Sequence, residues 1–380
     1  MITTRYLIIG GGMTADAAAK GIREHDADGG IVLVGSEQHP PYKRPPLSKG
    51  LWSGGAEEKI WKKTEEVPGA ELRLGRRIVS LDLDARRATD DAGEEYAWEK
   101  LLLATGGTPR RLGGDDGDVV YFRTLDDFHS LHGSVGEGTR VAVIGGGFIG
   151  SEIAAALVGN GATVSMTFPE PTIGFRLLPR GLGEFVTGYY REKGVEVDAG
   201  GMVGSPKELD ADIVVAGLGI VPNVELAEAA GLPVENGIVV DEYGRVGGRA
   251  DVFAAGDVAS FPSPVLGKRF RVEHEDHANT HGKVVGANMA GAGQAYDHIP
   301  FFYSDMFDLG YEAVGEVDSR LEAQIVWAEP NRKGVVCYVD AAQRPRGFLF
   351  WDVWGKVDDG RALIEAGVPL EQAQLEALMG

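Results

Sequence analysis

Two similar glycine-rich segments constrain most strongly what this chain can fold into. In the second of them, residues 141–144 form a short apolar run typical of a buried parallel strand, and an apolar pattern of helical period follows position 150. Between strand and helix lies G-x-G-x-x-G, at Gly145, Gly147 and Gly150. The first glycine permits a tight turn, the second lets a pyrophosphate approach the backbone, and the third lets helix and strand pack closely. The segment therefore predicts a dinucleotide-binding fold, with the pyrophosphate at the helix N-terminus.

The first copy lies at the start of the chain. Residues 6–9 are the predicted strand, Gly10, Gly12 and Ala15 form the turn, and a helix follows. Glu37 falls just beyond the predicted second strand, residues 31–34, where a carboxylate can accept hydrogen bonds from ribose hydroxyls. Two such folds in one chain predict two bound dinucleotides, and the economical interpretation is a flavin and a nicotinamide.

The second fold favours NAD(H) over NADP(H). Its second strand is predicted at residues 163–167, followed by Phe168 and then Glu170. No cation that could bind a 2′-phosphate follows at once, and the next one is Arg176.

Charge and cysteine content exclude several functions. The 37 basic and 57 acidic residues give a net charge of −20, which disfavours nucleic acid and anionic membranes as partners. No apolar run reaches the roughly 20 residues of a membrane span, and the early first strand leaves no room for a targeting peptide, so a cytoplasmic location is predicted. The single cysteine, Cys337, excludes an intramolecular disulfide. The pair of redox cysteines that flavin disulfide reductases carry after the first βαβ unit is absent from residues 41–50, PYKRPPLSKG.

Two strand ends and one loop carry further candidates. Residues 101–104 read as a buried strand that ends in Thr105 and Gly106, and residues 251–257, DVFAAGD, mirror it. Asp257 would hydrogen-bond a polyol chain or, alternatively, cap the following turn. The proline-rich segment 40–49 is predicted to be extended; its Arg44 and Lys49 either meet a diphosphate and a flavin edge or are exposed cations.

The segment 271–281, RVEHEDHANTH, holds three histidines. His277 and His281 have the i, i+4 spacing of helical metal ligands, but no third ligand is implied, so no metal is predicted. The helix that begins near Asp276 would instead direct its N-terminus at an electron-rich flavin edge.

Taken together, these motifs resemble the two-dinucleotide flavoprotein reductases, and within them the apoptosis-inducing factor family. The resemblance is carried by PYKRPPLSKGLW (41–52), LLLATGGTPRRL (101–112), GGGFIGSE (145–152), FPE (168–170), RVEHEDHA (271–278) and GYEAVGEVDS (310–319). It implies that FAD is held by Gly10, Gly12, Glu37, Arg44, Lys49, Val79, Arg110 and Asp257. It implies that the nicotinamide side is lined by Phe148, Glu152, Glu170, Glu273, His274 and Glu312. Further cofactor-binding positions are Ala15, Thr105, Gly106, Gly145, Gly147, Ile149, Gly150, Gly219, Gly256, Glu275 and Tyr303.

The resemblance also implies the catalytic group, which is Lys49, Glu152 and His274. The family's Lys–Glu pair beside the isoalloxazine maps to Lys49 and Glu152, and a cation there would stabilise the reduced flavin. The chain departs from the family at Tyr303, where the family has Trp, and at Phe175, where it has Lys. The animal proteins' acidic–basic insertion is also missing, so a role in cell death or DNA binding is not carried over.

The predicted fold class is α/β, with two Rossmann-like dinucleotide-binding domains and a C-terminal α+β domain. The predicted domains are 1–114 with 241–300 for FAD, 115–240 for NAD(H), and 301–380 at the C-terminus. The leading hypothesis is an NADH oxidoreductase that moves hydride from NADH to FAD and passes electrons to a quinone or small redox carrier. The alternatives are a ferredoxin or rubredoxin reductase of an oxygenase system, and an NADH-gated binding protein that forms a homodimer or changes partner.

Overall fold

A computed structural model describes residues 1–113, 117 and 119–379. It divides into two compact units. Unit 1 comprises Met1–Lys43, Glu57–Thr108 and Val221–Pro300, and unit 2 comprises Arg44–Ala56, Pro109–Ile220 and Phe301–Gly380. The predicted boundary at 114/115 lies outside the described residues.

Runs of consecutive strands are separated by helices over most of the chain. The strands are β1 Ile2–Ile9, β2 Ile31–Gly35, β3 Ala70–Leu74, β4 Ile78–Asp82, β5 Arg87–Asp90, β6 Glu95–Leu103, β7 Gly107–Pro109, β8 Val119–Val120, β9 Arg140–Ile144, β10 Thr163–Phe168, β11 Glu196–Ala199, β12 Ile213–Ala216, β13 Ile220–Pro222, β14 Val234–Glu235, β15 Gly237–Val239, β16 Val252–Ala254, β17 Ala259–Ser263, β18 Lys268–Phe270, β19 Phe301–Met306, β20 Leu309–Gly315, β21 Glu322–Glu329, β22 Lys333–Val339 and β23 Pro345–Trp351. The helices are α1 Met13–His25, α2 Leu125–Ser134, α3 Phe148–Gly159, α4 Arg180–Glu192, α5 Glu225–Ala229, α6 Glu275–Met289, α7 Val357–Ala366 and α8 Gln372–Ala377.

Unit 1 is built on a mixed sheet in the order β3-β2-β1-β6-β5-β4, with β16 also paired to β6. The strands β3, β2, β1, β6 and β16 are parallel neighbours, whereas β4, β5 and β6 pair antiparallel. The change from antiparallel to parallel pairing is visible within β6. Its first half alternates, with Tyr96 and Trp98 buried, and its last three leucines, which have parallel neighbours on both sides, are all fully buried.

The helices α1 and α6 pack against each other so closely that glycines are required. A Cβ on Gly21, Gly282 or Gly286 would overlap the backbone of the facing helix. A smaller sheet, β14-β15-β17-β18, completes unit 1. Its first hairpin turns at Asn236-Gly237, and Gly237 has a φ of 105°.

The described residues of unit 2 form two sheets. The parallel sheet β11-β10-β9-β12-β8 is the second nucleotide fold, with the apolar strands β9 and β12 at its centre. The antiparallel sheet β19-β20-β23-β22-β21 is C-terminal, and it buries Phe348, Phe350 and Trp351 completely.

One local structure differs from the sequence expectation. Residues Pro45–Ser48 and Gly50–Ser53 form two short 3₁₀ helices rather than an extended segment. The fixed φ of Pro45 and Pro46 suits a first helical turn, where a proline lacks no needed donor. The C-terminal tail forms two helices, α7 and α8, because Gly367, with a φ of 60°, ends α7.

Rossmann-type sheets with a C-terminal sheet domain confirm the predicted fold class. The three-domain division stays a prediction. None of the described helices combines the length and apolar composition that a bilayer crossing requires.

Candidate functional site

The first glycine turn lies in unit 1 between β1 and α1. A Cβ on Gly10, which has a φ of 140°, would collide with the carbonyl oxygen of Ala104 at the end of β6. Ala15 is fully buried in α1. Gly12 differs, because a Cβ there would meet no atom within 4 Å. Gly12 is also the N-cap of α1 and provides no side-chain cap, so the first helical amides face an open cradle suited to a pyrophosphate.

The second glycine turn, between β9 and α3 in unit 2, has the same division of roles. A Cβ on Gly145, which has a φ of 116°, would strike the carbonyl of Gly217, and one on Gly150 would strike the carbonyl of Gly145. A Cβ on Gly147 would meet nothing within 4 Å. The two outer glycines are therefore required by packing, whereas the central one leaves an approach open to a ligand. Ile149 lies in the first turn of α3.

The residues at two strand ends of unit 1 are fixed by neighbours that the sequence did not indicate. The Tyr42 hydroxyl donates to Glu37 Oε2 at 2.5 Å, just beyond β2. Thr105 Oγ1 donates to the carbonyl of Asn223 at 2.7 Å, and the Asn223 amide donates to the Thr105 carbonyl at 2.8 Å. Gly106, which has a φ of 64°, accepts from the Asn223 backbone amide.

The turn at Gly256 and Asp257 lies beside the N-terminus of α6. Arg271 connects them, since its guanidinium donates to the Asp257 carbonyl at 3.1 Å and pairs with Glu273 at 2.9 Å. His274 is the N-cap of α6 and Glu275 its first residue. Burial lowers the pKa of His274 to about 4, although the charges of Asp257 and Asp276 act in the opposite direction. His274 is therefore a neutral imidazole at neutral pH.

His277 and His281 form part of the core of unit 1. Both are fully buried, their ring centroids are 4.7 Å apart, and Phe261 and Tyr296 pack against them. His277 Nδ1 lies 2.9 Å from the Tyr296 hydroxyl, and the Gly256 amide donates to His281 Nδ1 at 3.3 Å. Among the residues that the structure describes, no group of three or more His, Cys, Asp or Glu could hold a metal ion.

The candidate Lys–Glu pair is formed within unit 2. Lys49 Nζ lies 2.6 Å from Glu152 Oε1, and the two side chains are 13% and 4% exposed. Two hydroxyls complete the environment of the carboxylate: Ser304 donates to Oε1 at 2.7 Å and Ser48 donates to Oε2 at 2.6 Å. The Lys49 ammonium also lies over the Tyr303 ring, 5.2 Å from its centroid. The buried carboxylate is thus satisfied by one cation and two neutral donors.

Two tyrosines adjoin this carboxylate. Burial first, and then the charge of Glu152, hold the pKa of both Tyr190 and Tyr311 well above the usual phenol value. Tyr190 donates to the carbonyl of Ser151 at 2.9 Å. Both phenols therefore stay neutral beside Glu152.

Three further predicted residues of unit 2 lie on different elements, Glu170 after β10, Phe148 on α3 and Glu312 on β20. Glu170 follows β10, 31% exposed, and Arg176 Nη2 lies 3.8 Å from its Oε1. Phe148 is 41% exposed and packs edge-on against Phe302. Glu312 accepts from the backbone amide of Gly355 at 2.8 Å, which ties it to the turn after β23.

The predicted site residues are divided between the two units. Unit 1 holds Gly10, Gly12, Ala15, Glu37, Val79, Thr105, Gly106, Gly256, Asp257, Glu273, His274 and Glu275. Unit 2 holds Arg44, Lys49, Arg110, Gly145, Gly147, Phe148, Ile149, Gly150, Glu152, Glu170, Gly219, Tyr303 and Glu312. Val79 is 54% exposed on β4, Arg44 donates to the carbonyl of Arg123 at 2.9 Å, and the Arg110 amide donates to the carbonyl of Gly219 at 2.9 Å.

Comparison with known proteins gives the family. A family model described as pyridine nucleotide-disulphide oxidoreductase matches residues 4–282. The chain belongs to this family. A second model, described as the C-terminal part of mitochondrion-associated apoptosis-inducing factor, matches residues 285–333. The chain is therefore an NAD(P)H-dependent flavoprotein oxidoreductase with an apoptosis-inducing-factor-like C-terminal region, and the resemblance seen in the sequence is confirmed.

Individual members of the pyridine nucleotide-disulphide oxidoreductase family match over most of the chain. The ferredoxin–NAD(+) reductase component of the anthranilate 1,2-dioxygenase system of Burkholderia cepacia is 38% identical, over 82% of this chain and 81% of that protein. Apoptosis-inducing factor 1, mitochondrial, of Dictyostelium discoideum is 32% identical, over 95% of this chain and 78% of that protein. The reductase in a covalent putidaredoxin reductase–putidaredoxin complex superposes with a TM-score of 0.90 at 26% identity, over 99% of this chain and 96% of that one.

Proposed function

We propose that this chain is an NADH-dependent reductase with bound FAD, which delivers electrons to a small redox-carrier protein. The observation that carries the proposal is the 38% identity, over 82% of the chain, to a ferredoxin–NAD(+) reductase component. Bound FAD would supply the chemistry, because it takes two electrons from a nicotinamide and releases them singly. The chain's one cysteine does not provide a thiol route, since it is buried and burial raises its pKa to about 12.

FAD would be held by the glycine turn of unit 1. The open space at Gly12 and the uncapped N-terminus of α1 fit a pyrophosphate, and the Glu37 carboxylate fits ribose hydroxyls. The Tyr42 hydroxyl donates to one oxygen of that carboxylate and so fixes the orientation in which the carboxylate accepts further hydrogen bonds. Asp257, at the N-terminal side of α6, would bind the hydroxyls of the flavin's polyol chain.

NADH would be held by the matching turn of unit 2. Gly147 and the N-terminus of α3 fit its pyrophosphate, and Glu170 at the end of β10 fits the adenosine ribose. A 2′-phosphate would approach the Glu170 carboxylate, so we propose that NADH is preferred over NADPH. Arg176, 3.8 Å from Glu170 and 90% exposed, would offset that repulsion only in part, because its charge is solvated and already paired.

Lys49, Glu152 and His274 would set the electrostatics around the isoalloxazine. Lys49 would present a positive charge where electron density increases on reduction, and the Glu152 carboxylate would fix the ammonium in place. The neutral His274 at the start of α6 would position the nicotinamide without adding charge.

The proposal is tested by anaerobic titration of the purified protein with NADH and with NADPH, followed by addition of ferredoxin, rubredoxin or a soluble quinone. We expect a yellow protein that NADH bleaches at lower concentration than NADPH, and that reduces an iron–sulfur or iron carrier faster than the quinone. Glu170→Gln should narrow the difference between the concentrations of NADH and NADPH that bleach the protein. Glu184→Gln, which removes a carboxylate paired with exposed Arg180, should leave that difference unchanged. Colourless protein that FAD cannot reconstitute, or equal rates with every acceptor, would refute the proposal.

A second candidate function is favoured by the C-terminal match and by the 32% identity to an apoptosis-inducing factor over 95% of the chain. In this alternative the protein is a cytoplasmic, NADH-gated binding protein that forms a homodimer or changes partner on reduction. It predicts a long-lived NADH complex, slow turnover with every carrier, and an NADH-dependent increase in hydrodynamic size. Size-exclusion chromatography with and without NADH, under anaerobic conditions, distinguishes the two.

A further inference from the structure

The Glu152 carboxylate has more hydrogen-bond donors than an ion pair with Lys49 requires. We propose that Ser48 and Ser304 are positioning residues that hold this carboxylate in one orientation and thereby set the positive charge that Lys49 presents to the flavin. The inference rests on the proposed function, in which Lys49 acts on bound FAD.

The geometry gives each carboxylate oxygen a separate hydroxyl. Oε1 is shared by Lys49 Nζ at 2.6 Å and Ser304 Oγ at 2.7 Å, whereas Oε2 receives Ser48 Oγ at 2.6 Å. The side chain of Glu152 is 4% exposed, so water does not compensate for a missing donor. With both hydroxyls present, the carboxylate cannot rotate about its last bond without losing one of them.

The three donors and the carboxylate that they bind come from three separate segments of unit 2. Lys49 and Ser48 lie in the 3₁₀ segment Pro45–Ser53, Ser304 lies in β19, and Glu152 itself lies in α3. This arrangement fixes the carboxylate relative to both nucleotide fold and C-terminal sheet. A single ion pair between two flexible side chains would not do so.

The sharing of Oε1 determines how strongly the pair is neutralised. While Ser304 donates to Oε1, the hydroxyl offsets part of the negative charge on that atom. The carboxylate then cancels less of the positive field of the Lys49 ammonium. Tyr190 does not replace the serines, because its hydroxyl already donates to the backbone carbonyl of Ser151. Removing either serine therefore lets the carboxylate turn toward Lys49 and weakens the field of the ammonium beyond it.

The test uses the FAD-loaded full chain with Ser304→Ala, Ser48→Ala and the conservative variant Ser304→Thr. Ser53→Ala is the matched control, since Ser53 lies in the same segment and donates to the Gly50 carbonyl at 3.1 Å on the exposed side. The measurements are the flavin midpoint potential, the anaerobic rate of reduction by saturating NADH, and the infrared carboxylate band that Glu152→Gln abolishes.

We expect both alanine variants to shift the potential to more negative values and to slow reduction by on the order of tenfold, as the loss of one charge-assisted hydrogen bond implies. The KM for NADH should change little, the carboxylate band should move, and Ser304→Thr should restore all of these. A potential and a band equal to those of the wild type in either folded alanine variant would overturn the inference; if Ser304→Ala does not fold, Ser48→Ala decides it. Failure of the proposed function is distinguishable, because the wild type itself would then lack FAD or fail to be reduced by NADH.

Discussion

Substituting alanine at Gly150 and at Gly147 should separate packing from coenzyme binding within a single turn. A Cβ on Gly150 would overlap the backbone carbonyl group of Gly145, which cannot move aside as a side chain could. The backbone of Gly217 also passes close to Gly150. A Cβ on Gly147 would meet no atom within 4 Å, and its φ of −86° and ψ of −166° suit alanine. The same chemical change is thus tested three residues apart, once against backbone and once against open space.

The magnitudes follow from this geometry. Overpacking against backbone costs about 1–3 kcal/mol, and the upper end applies to Gly150 because no side chain can move aside. Alanine is about 1 kcal/mol better than glycine inside a helix, so Gly150→Ala should lose about 2 kcal/mol of stability. Gly147→Ala should lose less than about 1 kcal/mol, as expected at an N-cap. Its methyl group would occupy the space for a pyrophosphate, and a cost of about 2 kcal/mol there weakens the Kd for NAD(H) by about 30-fold.

Thermal unfolding measures the first effect, and calorimetric titration with NAD⁺ measures the second. We expect Gly150→Ala to unfold at a lower temperature, and Gly147→Ala to unfold near the wild-type temperature but to bind NAD⁺ weakly. If Gly147→Ala binds NAD⁺ as tightly as the wild type, the coenzyme does not approach this turn. If Gly150→Ala is as stable as the wild type, the close approach of helix and strand is not a constraint.

Three further predictions concern the two units separately. Asp16→Ala removes a fully buried carboxylate of α1 that pairs with Lys20 and Lys62, so unfolding should cost about 3 kcal/mol less; a loss below about 1 kcal/mol would show that the pair is neutral for stability. Burial lowers the pKa of His281 to about 3, below the value near 6.5 in the unfolded chain. The contribution of this histidine to the free energy of unfolding is therefore complete above pH 6.5. It is lost as the pH falls toward 3, by about 1.4 kcal/mol per pH unit. His281→Gln should reduce that slope, measured by urea unfolding between pH 6 and 5, and an unchanged slope would contradict the assignment. Because burial raises the pKa of the Cys337 thiol to about 12, iodoacetamide at pH 8 should label it only after unfolding, and rapid labelling of the native protein would disprove the burial.

The nucleotide folds could be predicted from sequence because their signals are local. The tight turn at Gly10, the open position at Gly12 and the following helix lie within a few residues of one another, and each has a physical cause in backbone geometry. Fold class, family and enzyme class were therefore accessible, and the comparisons confirm them. The 3₁₀ turn at Pro45 was missed because prolines favour both an extended chain and a first helical turn, and contacts with the rest of the unit choose between them.

The environment of the candidate site could not be predicted, because it depends on contacts between distant positions. Ser48 and Ser304 lie 104 and 152 residues from Glu152, and a serine in a short 3₁₀ helix or an edge strand carries no local signal of its partner. Tyr42 and Asn223 were missed for the same reason: their bonds to Glu37 and Thr105 depend on how loops return to the sheet. Lys49 was found only through the resemblance to a family, since its spacing alone allows an exposed cation equally well.

The location of the Lys49–Glu152 pair has a consequence for how the charge is prepared. In the described part of the chain its hydrogen-bond partners belong to unit 2, so that unit assembles the cation, the carboxylate and both hydroxyls without a contribution from the glycine turn of unit 1. An electrostatic group contributes most to a reaction when it needs no reorganisation at the moment of charge transfer. Because the carboxylate is buried and each oxygen has a fixed donor, the ammonium is held before any coenzyme arrives. The pair is therefore expected to be present in the FAD-free protein as well. The infrared carboxylate band of Glu152 in that protein should lie closer to its position in the FAD-loaded protein than to the position of an exposed carboxylate.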